Sequence, residues 1–170
     1  MSLNEDAKIV VIFLIFYILL ASTSPDVVNL VNQSKVFSLL CQANPFVIRM
    51  ASFGNQPKYS LYCYGVASLL MPYFLYILIG STVIKASTAK RYEVGGKSAL
   101  RNSAIIALTI FIFMFFYFSD FSPEHISRVD RMMFHSHFGI AFWSLGLTFF
   151  LAVMAACFVL YTIEFLKKDI

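Results

Sequence analysis

Charge is what this chain lacks most. Only 13% of its 170 residues are Asp, Glu, Lys or Arg, about half the share of an ordinary soluble domain. The shortage is concentrated in four stretches, residues 9–25, 59–84, 102–119 and 132–163, which contain none at all; the last holds only two histidines, His135 and His137. An α-helix rises about 1.5 Å per residue, so a hydrocarbon core ~30 Å thick takes roughly 17–25 apolar residues to cross. Each stretch is long enough, the first and third only just. Intramembrane ionisable groups usually mark ion paths, proton relays or substrate sites. Their absence from the middle of every stretch argues against a pump or a proton-coupled carrier. No internal repeat of the kind that builds many carriers is visible either.

Other absences narrow the chemistry. There is no phosphate-binding glycine loop, since Gly95-Gly96 is too short for one. No set of nucleophile, base and acid occurs, and no pair of histidines lies in facing spans. The chain is therefore read as non-enzymatic, and no cofactor is expected. His125, Asp130, His135 and His137 invite a metal, but on a helix side chains two apart point about 200° away from each other. No cysteine or second carboxylate stands at ligand spacing, so no metal site is expected. Only three cysteines occur. Cys157 falls inside a span as a packed thiol. Cys41 and Cys63 both fall near the outer boundary, where a disulfide is chemically allowed in an oxidising compartment.

What the chain does have is apolar bulk and a patterned set of cations. It is 59% hydrophobic, with 19 Phe and 9 Tyr, which suits lipid-facing surfaces and interfacial anchors. The fold class that follows is an all-α integral membrane protein: a four-transmembrane-helix bundle in one domain, residues 1–170, with spans at about 9–24, 60–84, 102–119 and 137–163. The leading apolar run has a mixed-charge flank and no clean small-x-small cleavage pattern, so it is expected to stay as a helix. Lys85, Lys90, Arg91, Lys97 and Arg101 crowd between the second and third spans against a single acid, Glu93. Lys8 and the Lys167-Lys168 pair fall on the same side. The positive-inside rule places that side, with both termini, in the cytoplasm. The net charge of +4 is thus a matter of orientation and lipid headgroups, and nucleic acid is not an expected partner.

Between the first two spans, Val27, Leu30, Val31, Phe37, Leu40 and Cys41 share a face of a short amphipathic helix in the first outer loop. Ser24-Pro25-Asp26 starts it and Asn44-Pro45 ends it. Pro72 sits mid-span and removes a backbone bond. Gly65 with Pro72, and Gly139 and Gly146 in the last span, are candidates for close helix packing. The outer loops supply Lys35, Arg49, Arg128, Asp130 and Arg131 as candidates for partner recognition.

The order of several short features resembles the immunity proteins for pore-forming colicins of the colicin A type. These features are Asn44-Pro45, Tyr62-Cys63, Pro72, the LYIL run at 75–78 and the ALR run at 99–101. Tyr117-Phe118, Arg131-Met132-Met133 and Lys167-Lys168 complete the series, which covers about residues 44–168. The resemblance implies a multi-pass protein of the bacterial inner membrane that binds the pore-forming domain of the toxin and stops its channel from opening. It leaves the histidine-containing second outer loop unassigned. The competing reading is a small accessory subunit of a larger membrane assembly, secretory or respiratory. Association into a homo-oligomer would suit the first.

Overall fold

A computed structural model describes residues 5–52, 56–119 and 135–167, with side chains at 7–52, 56–114 and 135–167. All regular structure among these is helical: α1 (Glu5–Ala21), α2 (Pro25–Gln33), α3 (Lys35–Gln42), α4 (Pro45–Ala51), α5 (Pro57–Gly80), α6 (Thr82–Ser119) and α7 (His137–Lys167). Three of these, α5, α6 over Thr82–Met114, and α7, are long and apolar enough to cross a membrane. The number rises to four if α1 and α2, joined at a 95° bend, make one span. With 17 residues, α1 alone is ~25 Å long. Its Val10, Leu14, Ile18 and Leu19 are exposed, as lipid-facing residues are.

Proline sets where helices begin. Pro25, Pro45 and Pro57 each occupy the first position of a helix, where the missing N–H would have had no partner and the fixed φ is already helical. The expected single amphipathic helix is instead two short ones, α2 and α3, and a third, α4, starts where that helix was expected to end. Ser34 is extended, at φ −65° and ψ 123°, and separates α2 from α3. Asn44, at φ −115° and ψ 97°, separates α3 from α4. The apolar period continues across Ser34, and so the pattern alone does not reveal the break. The second span also ends early. It stops at Gly80, and Thr82 to Ile84 belong to α6.

The expected loop between the second and third spans is not a loop. α6 is helical on both sides of one residue, Gly96, at φ 60° and ψ −153°. That region of backbone space is open to glycine and essentially to nothing else. On a straight helix Arg91 and Ser103 would be ~18 Å apart, yet their side chains hydrogen-bond. The chain therefore folds back at Gly96.

By packing, the chain divides into two compact units. One comprises Met1–Ile12, Met71–Met114 and Phe149–Ile170, the other Phe13–Leu70 and Phe115–Thr148. In the first, Leu100, Ala104 and Tyr161 form a small core covered by Tyr92, Phe158 and Phe165. In the second, Phe46, Val47 and Met50 of α4 are buried with Cys63, Tyr64 and Ala67 of α5. The Phe46 ring meets Tyr64 edge-on at 6.1 Å between centroids. Two buried aliphatic hydroxyls inside the helices are satisfied locally, where no water competes. Thr88 donates to the Ile84 carbonyl at 2.9 Å and Ser144 to Ala141 at 3.0 Å, the usual solution for Ser and Thr in apolar helices.

Candidate functional site

Within the second unit, polar groups converge where α1 ends and where α5 and α7 begin. Tyr59, in the first turn of α5, is the centre. Its ring stacks on His137 at 4.1 Å with 20° between planes. Its hydroxyl donates to the Leu20 carbonyl at 2.8 Å and lies 3.3 Å from the His137 carbonyl. The last carbonyls of a helix have no partner inside it. Here the Ser22 and Thr23 hydroxyls donate to the Ile18 and Leu19 carbonyls. The Leu20 carbonyl accepts the Thr23 N–H at 3.3 Å as well as the Tyr59 hydroxyl, the one of these bonds that ties α1 to α5. Tyr62 adds a contact at 3.3 Å to Thr23 Oγ1.

The flanks are tied by amides. Asn32 of α2 donates through Nδ2 to the Lys58 carbonyl at 2.8 Å. Gln56 donates through Nε2 to the His135 carbonyl at 3.4 Å. Ser136 caps α7, its Oγ accepting the Gly139 N–H at 2.9 Å. That is the bond an N-cap serine makes to the third helical residue.

Two cavities flank the start of α5. One of about 460 Å³ lies between Thr23, Val28 and Asn29 on one side and Tyr59 and His137 on the other. The second, about 450 Å³, lies between Ser38, Gln42, Ile48 and Leu61. Pro57 and Lys58 line both, so the α5 N-terminus is a ridge between two hollows. Their walls are largely apolar. Lys58 is an exposed cation on the ridge, and no carboxylate pairs with it among the described residues.

The residues singled out in the sequence fall as follows. Lys35 is exposed in the first turn of α3, and Arg49 is half-buried in the last turn of α4. A cation there meets the negative end of the helix. Arg128, Asp130 and Arg131, with His125, lie outside the described residues. At Gly65, α3 comes close against α5. A Cβ at Gly65 would overlap the Phe37 ring and come within 2.8 Å of Cys41 Sγ. Pro72 lies inside α5, which continues through it. Gly139 supplies the N–H that Ser136 caps. Around Gly146 a Cβ would meet nothing within 4 Å; the small residues buried along α7 are instead Ala141, Ser144, Ala152 and Ala156.

The disulfide considered between Cys41 and Cys63 is not present, and all three cysteines are free thiols. The reason is angular. Cys41 packs on Gly65, and Cys63, two residues earlier on the same helix, projects about 200° away around the axis. Burial pushes the Cys41 thiol above its ordinary range. His135 and His137 are likewise parted, one ahead of the cap and exposed, the other stacked on Tyr59. Among the described residues no group of three His, Cys, Asp or Glu could hold a metal.

Tyr59 and Asn32 were not visible as site residues from sequence. The one available signal was position: an aromatic with a polar tip at the first residue of an uncharged run belongs at a boundary. Compared with protein-family models, with curated proteins and with solved structures, the chain has no match.

Proposed function

We propose that the chain is a four-span protein of the bacterial inner membrane, with both ends in the cytoplasm, that binds the pore-forming domain of a colicin-type toxin and holds its channel shut. The observation that carries this reading is the layer of short helices α2, α3 and α4 beside α5. It is a fixed surface rather than a slack loop, anchored by Asn32 to the Lys58 carbonyl and by Phe37 and Cys41 on Gly65. Yet it leaves Leu30, Val36 and Leu39 exposed beside the cations Lys35 and Lys58 and two apolar hollows. Exposed aliphatics rimmed by charge mark surfaces that take a partner or a membrane. A toxin hairpin entering from the periplasmic side presents apolar helices at that depth, and association of helices in lipid depends on close packing and polar contacts.

The ordered resemblance between residues 44 and 168 supplies the kind of partner. The cation-rich segment around Gly96 supports, by the positive-inside rule, an orientation with α2–α4 on the outer side. Challenge of sensitive cells expressing the protein with a panel of pore-forming colicins tests the reading. Survival against one toxin and not others is the expected result. Killing by every toxin, with the protein correctly inserted, would sink it. The same exposed aliphatics also suit an accessory subunit packed in a larger assembly. Purification in a gentle detergent separates the two readings: co-isolation of a fixed set of host membrane proteins favours the subunit.

A further inference from the structure

We propose that the first unit holds a binding site for an anionic phospholipid, with the lipid phosphate on Arg91 and an acyl chain in the cavity beneath it. The cavity, about 220 Å³, is bounded by Ser103, Ile106 and Ile110 of α6 and by Met154 and Tyr161 of α7, with Arg91 among its lining. Arg91 lies before the Gly96 reversal and is folded back over this opening. Its Nη1 donates to Ser103 Oγ at 3.1 Å, and its guanidinium sits 5.8 Å from the centre of the Tyr161 ring, within the reach of a cation–π contact.

Both partners are neutral. No carboxylate pairs with Arg91 among the described residues, and a guanidinium has five N–H donors, of which Ser103 takes one. A charge held at the rim of an apolar hollow by uncharged groups lacks an anion. Arg suits phosphate because its planar fork can bind two oxygens together.

The walls determine which phosphate. From Ser103 to Ile110, and from Tyr161 back to Met154, the lining descends ~10 Å along two apolar helices. Inorganic phosphate would have no use for those walls, whereas a hydrocarbon chain would. The rim coincides with the ends of the uncharged runs, marked by Arg101 and Glu164, the level at which headgroups lie. Lys85, Lys90, Lys97 and Arg101 belong to the same segment of chain as Arg91, with Glu93 as its one acid. Basic pockets between transmembrane helices are a known way to take acidic headgroups.

Native mass spectrometry of the detergent-purified protein, offered equal amounts of phosphatidylglycerol and phosphatidylcholine with the same chains, tests the site. Wild type should retain phosphatidylglycerol about five-fold more, the size expected for one cation near a headgroup. Arg91→Gln should remove that preference, while Lys90→Gln, at an exposed neighbour, should keep it. Ala107→Phe fills the cavity with Arg91 intact and should lose the lipid as well. Circular dichroism checks that each variant is folded, and if Arg91→Gln is not, Ala107→Phe decides. Equal retention of the two lipids by wild type would overturn the proposal. So would an unchanged preference in Arg91→Gln or Ala107→Phe, or displacement of the lipid by millimolar inorganic phosphate.

Discussion

The chain reverses or changes direction in two regions built in opposite ways. Between α1 and α5 it uses three short helices, prolines at the start of three helices, and side chains that reach across to backbone carbonyls. Within α6 it uses one residue, Gly96, in a backbone conformation that only glycine adopts easily, fastened by Arg91 on Ser103 and Tyr161. The first region distributes its specification over many groups, so that losing one bond leaves others. The second concentrates it in a single dihedral pair. The first also spends chain length on a surface with hollows, which is what a binding face needs, while the second keeps cations together at one level.

The largest effect is expected where the distributed region has no slack. Gly65→Leu would drive a side chain into Phe37 and Cys41, and overpacking of a tight contact costs about 1–3 kcal/mol, occasionally more. Thermal unfolding in detergent, followed by circular dichroism, should show a clear drop in Tm. Faster alkylation of Cys41, whose thiol burial now protects, should accompany it as α3 lifts from α5. A Tm like that of wild type would mean that α3 is not held against Gly65.

Gly96→Ala comes next. The added Cβ would clash with nothing within 4 Å, so the cost is purely conformational, about 1–3 kcal/mol for a residue forced into that region. Two outcomes are open to the chain: it keeps the reversal with lower stability, or it straightens into one helix. A trap made by a short bifunctional thiol reagent between cysteines placed at Arg91 and Ser103, whose contact spans the length of an arginine side chain, on a background lacking the native three, distinguishes them. The trap should close readily in the protein that keeps Gly96 and slowly in the Gly96→Ala variant. If closure is equally fast in both, glycine is not what permits the turn.

How much of this was legible in the sequence follows from the same contrast. Long uncharged runs report helices because bilayer thickness demands a minimum length; α5 and α7 lie where those runs predicted, within a few residues, whereas α6 ends with its run but begins at Thr82, well before it. Gly95-Gly96 stood out as a turn, but the helical character on both sides did not, because Lys, Arg and Glu there read equally well as a solvated loop. Ser34 was illegible: the apolar spacing from Val27 to Cys41 fits one helix, and only tertiary contact selects the break. The Tyr59 junction was hidden for a different reason. Its partners are the backbone carbonyls of Leu20 and His137, and a carbonyl carries no residue identity for a sequence to display. Arg91 looked like any of five cations until the reversal brought Ser103 and Tyr161 to it.

The smallest effects sharpen the comparison within one helix. Tyr59 and Tyr64 are both buried in α5, at 5% and 0% exposure, and differ in what their hydroxyls meet. That of Tyr59 donates to Leu20 and approaches His137, whereas that of Tyr64 has no hydrogen-bond partner among the described residues. Removing the Tyr59 hydroxyl leaves the Leu20 carbonyl with the Thr23 N–H alone, a loss of one buried hydrogen bond worth about 0.5–1.5 kcal/mol. Removing a hydroxyl that makes none relieves a desolvated group and should be neutral or mildly stabilising, within about 1 kcal/mol. Tyr59→Phe should therefore lower Tm while leaving the ring to stack on His137, and Tyr64→Phe should leave Tm unchanged or raise it, its ring still meeting Phe46 edge-on. Equal losses in the two variants would mean that the junction is held by ring packing alone. A loss confined to Tyr59→Phe assigns it to the hydroxyl, and with it the closing of α1 against the start of α5.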